Sequence, residues 1–273
     1  MLLVSEDVEC MSTALMCFAK ALQDGADYAV CNAVFGFGGA TALYQSRAHL
    51  AQNRCALVSR PLLERCRAAA KDPENVTELL ALAAQFCAHP ARIPQALLHY
   101  ERDICAEDAF SATGKRAFLM SHVLDMTGAP IVLVSAVPVL RSMGYEVVVL
   151  GPSDGGALQL FVDAGAAVIT RPGIRATPNL WGLALCTDLV LVNTVVMART
   201  VRALSGTAVP VLWWLHDAFA GYPHIAHQIP TKLAENVRLY SVGHHAANAM
   251  HAVRPDFQIG QLIYGLPDYA AED

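Results

Sequence analysis

The chain has 273 residues, a formal net charge of −5, 55% hydrophobic residues and only 16% charged ones, enough apolar material for one large domain or two smaller ones with a real core. Its basic residues are scattered rather than set in a stripe interleaved with aromatics, which argues against a nucleic-acid partner. The longest apolar stretches, such as Ala129 to Leu140, fall short of the roughly 20 residues that a membrane-spanning helix needs.

The first ten residues, MLLVSEDVEC, place acids where an export signal carries positive charge, so the expectation is a cytoplasmic protein. Eight cysteines stand at positions 10, 17, 31, 55, 66, 87, 105 and 186 with no C-x-x-C pair. Such wide spacing reads as reduced thiols packed in the interior and gives no support to a metal site.

Residues 1–114 read as an all-helical region. Ala, Leu, Arg, Gln and Glu dominate Met11 to Leu22, Ala40 to Gln52, Pro61 to Lys71 and Val76 to Phe86, with apolar residues recurring at threes and fours. Breaks are expected at Asp24-Gly25, Gly36 to Gly39, Asp72-Pro73 and His89-Pro90. The segment Glu78 to Glu101 has the texture of a helical hairpin, but it has no second copy at a fixed period. The glycine cluster Phe35 to Thr41 lacks the third spaced glycine of a dinucleotide fingerprint, and Val58 stands where the ribose-binding acid would be. It reads as a turn.

From Arg116 onward, short apolar runs alternate with helical segments. The runs are Ala117 to Met120, Glu146 to Leu150, Ala166 to Ile169, Asp188 to Val192, Pro210 to Leu215, Arg238 to Val242 and Ile259 to Tyr264. They are rich in Val, Leu and Ile and apolar on both faces, as strands of a buried parallel sheet are. Helices are expected at Ala129 to Ser142, Gly156 to Ala164, Val195 to Leu204 and His244 to Ala252. This pattern predicts a Rossmann-like, doubly wound α/β domain over residues 115–273, with ligands at the carboxyl ends of its strands.

The first strand feeds a polar turn, Thr127-Gly128-Ala129, followed by Pro130. Proline is tolerated at the first helical position, where its missing N–H would be unpaired, and Thr127 can accept a bond from one of the first turn's N–H groups. Such a helix start attracts anions or phosphates. At the other strand ends stand Asn193-Thr194 and His216-Asp217. The first pair would equally serve as an ordinary helix cap, and His216 as a packed histidine. A His-Asp pair also marks certain metal phosphohydrolases, but those are all-helical, whereas here it follows the apolar run PVLWWL. His224 and His227 have the spacing of a shared metal site without a carboxylate or thiol to complete it.

The ordered set FLMSHVLDMTGAPIVLVSAVPVLRSMGYEVVVLGPSDGGALQLFVDAGAAV, DLVLVNTVVMARTVRAL and PVLWWLHDAF resembles the N-terminal half of GT-B glycosyltransferases of family 4, from about Arg116 to Tyr264. The resemblance implies transfer of a sugar from a nucleotide-sugar donor to a glycan or lipid-linked acceptor, as in polysaccharide biosynthesis. It implies metal-independent chemistry with no cofactor, and it leaves peripheral contact with a membrane open. It places Thr127, Gly128 and Ala129 near the donor phosphate and the acceptor. Asn193 and Thr194 then face the same crevice, and His216 with Asp217 lies at the sugar site, where a neutral imidazole can bond a hydroxyl or phosphate.

GT-B enzymes hold the donor in a second domain. Ile263 to Pro267 resembles the family's crossover into it, and nine residues follow Tyr264. The sequence therefore leads to the expectation that a donor-binding half is supplied by a partner chain, lost by truncation, or dispensed with in a binding module. The competing reading is a non-enzymatic interaction or scaffold protein built on a glycosyltransferase-like domain. A nicotinamide-dependent enzyme is disfavoured by the missing glycine fingerprint.

Overall fold

The computed structural model describes residues 1–4, 8–36, 41–46, 55–70, 75–111, 114–174 and 181–265, without the side chain of Trp181. The N-terminal region is not all-helical. Strands β1 (Leu2–Val4), β2 (Glu9–Cys10), β3 (Tyr28–Phe35), β4 (Thr41–Tyr44), β5 (Cys55–Val58) and β6 (Pro90–Tyr100) are interspersed with helices α1 (Ala14–Gln23), α2 (Arg60–Ala69), α3 (Val76–Phe86) and the short α4 (Ala106–Ala109).

Two of these helices begin as their sequences dictate. The Ser59 hydroxyl accepts the Leu62 N–H at 3.3 Å ahead of α2, and Asn75 Oδ1 accepts the Glu78 N–H at 2.9 Å ahead of α3. The expected helix over Ala40 to Gln52 is overturned where it is described. Residues 41–44 form β4 because they pair with β3 on one edge and with a later strand on the other, and tertiary pairing outweighs helix propensity. Residues 40 and 47–52 lie outside the described residues, as does the Asp72-Pro73 break.

The second half of the supposed hairpin is β6, parallel to β3. Its prolines fit because Pro90 opens the strand and Pro94 falls where the register slips between Ile93 and Ala96. Asn32 Nδ2 donates to the Pro94 carbonyl at 2.6 Å and anchors the irregularity. Of the glycine cluster, Gly36 is described. It adopts a left-handed φ of +84° and donates its N–H to the carbonyls of Tyr100 and Arg102, turning the chain out of β3; Phe37 to Ala40 lie outside the described residues.

The second half follows its sequence closely. Strands β7 (Lys115–Met120), β8 (Tyr145–Gly151), β9 (Ala167–Thr170), β10 (Leu189–Asn193), β11 (Val211–Leu215), β12 (Val237–Ser241) and β13 (Ile259–Gln261) run parallel. Between them lie α5 (Gly128–Ser142), α6 (Leu158–Asp163), α7 (Trp181–Ala184), α8 (Ala198–Leu204) and α9 (His244–His251). The order β9-β8-β7-β10-β11-β12-β13 extends the 3-2-1-4-5-6 order of doubly wound dinucleotide folds, so the direction of winding reverses between β7 and β10. The strand β4 pairs antiparallel with β9 and carries the sheet into the N-terminal strands.

Alternation divides the core. Ala117, Leu119, Leu191 and Trp214 face α5 and α6, while Phe118, Met120, Val192, Trp213 and Leu215 face α8 and α9. A third cluster packs α2 and α3 over β1, β3 and β5. Burial on both faces accounts for the unbroken apolar runs. Among the described residues, no helix is long and apolar enough to cross a membrane.

Candidate functional site at the sheet switch point

At the carboxyl end of β10 the chain makes an unusual turn. Thr194 has φ +72° and ψ 161°, a region that costs a β-branched residue strain and is otherwise populated by glycine. Its surroundings hold it there. The Thr194 N–H donates to the Trp214 carbonyl at 2.8 Å, its own carbonyl accepts the Trp213 indole N–H at 2.8 Å, and its hydroxyl meets His122 Nδ1 at 3.3 Å. Thr194 is 1% exposed, so the strained peptide is locked between β11 and the end of β7.

Neighbouring Asn193 is fully buried. Its side-chain amide donates to the Ala129 carbonyl at 3.0 Å and ties β10 to the first turn of α5. Its Oδ1 finds no partner among the described residues. Neither Asn193 nor Thr194 caps the following helical turn with its side chain. That role falls to Asp217, whose carboxylate accepts the Val195 N–H at 2.6 Å. Burial pushes the Asp217 carboxyl up from its ordinary range, against the opposing pull of the Val195 N–H and of nearby His122.

His216 lies on the α5 side of the sheet, its ring 4.7 Å from that of Trp214. Burial, aided by the proximity of His122, lowers its pKa to about 4, so the imidazole is neutral near pH 7. Its Nε2 is buried and has no partner among the described residues. Asn193 Oδ1 and His216 Nε2 are thus uncharged, desolvated hydrogen-bonding atoms on one face of adjacent strands. Leaving them unmet costs about 1–3 kcal/mol each.

The turn at Thr127 departs from the sequence reading in two respects. Its hydroxyl accepts no first-turn N–H; it donates to Asp125 Oδ1 at 2.5 Å and stands exposed. The helix starts at Gly128, which puts Pro130 at the third position. The first turn therefore offers the N–H groups of Gly128 and Ala129. Glycines shape the loop beneath it: a Cβ on Gly155 would lie 2.2 Å from the Leu124 carbonyl oxygen, and one on Gly151 2.4 Å from the Leu124 side chain.

Hydrogen bonds thus link Asn193 with Ala129, Thr194 with His122 and Asp217 with Val195, and the consecutive residues 193–195 join the three pairs. His216 enters through its packing on Trp214, while Thr127 and Gly128 sit at the exposed mouth. Two residues were missed from the sequence. His122 stands two positions past the apolar run of β7, a polar residue at a strand end that the switch-point rule could have flagged. Tyr222 comes from the irregular segment after β11; it is fully buried, its hydroxyl has no partner among the described residues, and burial and Asp217 raise its pKa. Nothing in its local sequence signals it. Among the described residues, no group of three or more His, Cys, Asp or Glu side chains is placed to hold a metal ion.

The parallel, doubly wound sheet of the second half is compatible with a Rossmann-like domain. A family model described as Glycosyl-transferase family 4 matches residues 113–251, from the start of β7 to the end of α9. The chain belongs to that family, and the matched half is consistent with a GT-B-like N-terminal domain. None of the curated proteins compared with the chain matches it.

Proposed function

We propose that the switch-point crevice holds the sugar in a transfer from a nucleotide-sugar donor to a hydroxyl of a glycan or lipid-linked acceptor. The bond from the anomeric carbon to the donor phosphate oxygen breaks, a bond to the acceptor oxygen forms, and the acceptor proton passes to the departing nucleotide phosphate. The observation that carries this reading is the neutral, buried Nε2 of His216, on the same side as the Oδ1 of Asn193, both without a partner among the described residues. Sugar hydroxyls both donate and accept, so they satisfy such uncharged groups in a way that a phosphate, which only accepts at neutral pH, does not.

In this reading His216 touches the sugar, and Asp217 positions the turn after β10 through Val195. The first turn of α5, with Thr127, Gly128 and Ala129, faces the donor phosphate, where its two backbone donors favour negative charge. The chemistry is metal-independent, and a donor-binding domain covers the crevice. Three apolar side chains at that edge suit such a cover: Met126, Phe219 and Ile263 are 62%, 59% and 75% exposed and come from three different loops.

Nucleotide release from UDP-sugars and GDP-sugars in the presence of glycan and lipid-linked acceptors tests the reaction. Ligand-observed NMR with free sugars tests the crevice alone. Sugar binding should weaken at least tenfold in His216→Ala with an unchanged fold. If sugars bind His216→Ala as well as the parent, His216 has no such role, and if no sugar binds either protein the reading fails.

A further inference from the structure

A second group of unmet polar atoms lies one strand further along the same edge. Ser241, the last residue of β12, is fully buried, and its hydroxyl has no partner among the described residues. Alternation along β12 puts Ser241 on the side of Val237 and Leu239, which pack with Ala246, Ala249 and Met250 of α9. Its side chain is therefore on the α9 side of the sheet, and in sequence it stands two residues ahead of the Gly243 cap.

The start of α9 is electrostatically unfinished. Gly243 supplies no side chain, no cap bond is made, and the first turn contains no acidic residue. The first two positions instead hold His244 and His245, both exposed. Histidines at the positive end of a helix dipole reverse the usual preference for acids there, and a local rule broken without visible compensation is a mark of function. The deficit is one of negative charge. An anion placed over the turn would meet its backbone N–H groups, the Ser241 hydroxyl below and two imidazoles at the rim.

The position fits the crevice. Ser241 is in register with Leu215, and the Val242 N–H donates to the Leu215 carbonyl at 3.1 Å, so this turn is the direct neighbour of His216-Asp217. The 3-10 turn Phe219–Gly221 packs against α9 and leads into Tyr222, whose buried hydroxyl is also unmet.

We propose that Ser241 and the first turn of α9 form a binding site for the phosphate group of a phosphorylated ligand, separate from the first turn of α5. Its use in sugar transfer rests on the function proposed above, and the phosphate belongs either to the acceptor or to the nucleotide donor. The site supplies what the His216 side lacks, a set of donors for a group that only accepts.

Backbone amide NMR of the full chain tests it, with inorganic phosphate, pyrophosphate, a sugar phosphate and UDP as separate probes. Saturable shifts of the Gly243 to Ala246 amides are expected with phosphate or pyrophosphate. Larger shifts with the sugar phosphate than with UDP identify the acceptor as the source, and the reverse order identifies the donor. His244→Asp completes the dipole and should leave Tm unchanged or higher while weakening the shifts at least tenfold. Ser241→Ala should weaken them several-fold. Phosphate shifts confined to Gly128 and Ala129, or unchanged in His244→Asp, overturn the proposal. Free-sugar binding near His216 is read in the same spectra, so it can fail or stand independently.

Discussion

The Asp217 carboxylate and the Val195 backbone N–H, 22 positions apart in sequence, meet at 2.6 Å. The bond closes the gap between β11 and the helical turn after β10, and it supplies in trans the cap that neither Asn193 nor Thr194 provides. Removing the carboxylate leaves the donor of a fully buried residue unmet. Asp217→Ala should therefore lose about 1–3 kcal/mol of stability in urea unfolding, and Asp217→Asn distinctly less, because an amide oxygen can still accept the bond. Equal losses in both variants would show that charge, not capping, is what the site needs.

At Thr194 the ordinary ranking of alanine over glycine should invert. Both substitutions remove the hydroxyl that meets His122, so their difference isolates the backbone. With φ at +72°, glycine relieves strain that alanine keeps, and Thr194→Gly should be more stable than Thr194→Ala by about 1–2 kcal/mol. Chemical denaturation of the two variants side by side measures it. An alanine variant as stable as the glycine one would mean that the turn relaxes when the threonine is lost.

The parallel half was legible because strands buried on both faces carry continuous runs of Val, Leu and Ile. The run Glu146 to Leu150 became β8 with one residue added at each end. The N-terminal strands β4 and β6 were not legible, since Ala, Leu, Gln and Arg, whose local preference is helical, outnumber their strand-favouring residues Thr41, Tyr44, Ile93 and Tyr100. What makes them strands is pairing with β3 and β9, which no local window contains. The strand-end rule pointed to Asn193 and His216, which the fold places at the ends of neighbouring strands. The role of Asp217 as a cap to Val195 and the burial of Tyr222 depend on contacts across the sheet. Thr194 gave no warning either, because sequence patterns offer glycine, not threonine, as the marker of a positive φ.

Acid should weaken the fold partly through His216. Burial lowers its pKa from 6.5 to about 4, so between those values the unfolded chain binds a proton that the folded chain refuses. Stability contributed by the neutral imidazole is present above pH 6.5 and is lost as pH falls toward 4, with about 1–3 kcal/mol at stake. His216→Gln cannot titrate, and its stability should fall less steeply over that window. Unfolding free energies at half-unit steps of pH provide the comparison, and parallel curves for the two proteins would remove His216 as the cause.

Two glycines at the mouth of the crevice should answer oppositely to alanine, and the contrast separates fold from function. At Gly155 a methyl group would lie 2.2 Å from the Leu124 backbone oxygen, and backbone cannot yield as a side-chain tip can. Gly155→Ala should cost several kcal/mol, on the order of 2–4, or prevent folding. At Gly128 nothing lies within 4 Å of the added carbon, and the position is helical. Gly128→Ala should therefore stabilise the chain by roughly 0.5–1 kcal/mol. On the function proposed above, the same methyl group stands where the donor phosphate approaches the first turn of α5, so sugar transfer should fall about tenfold, with KM for the donor raised. Higher stability with undiminished transfer would leave the fold as described and remove this turn from the donor site.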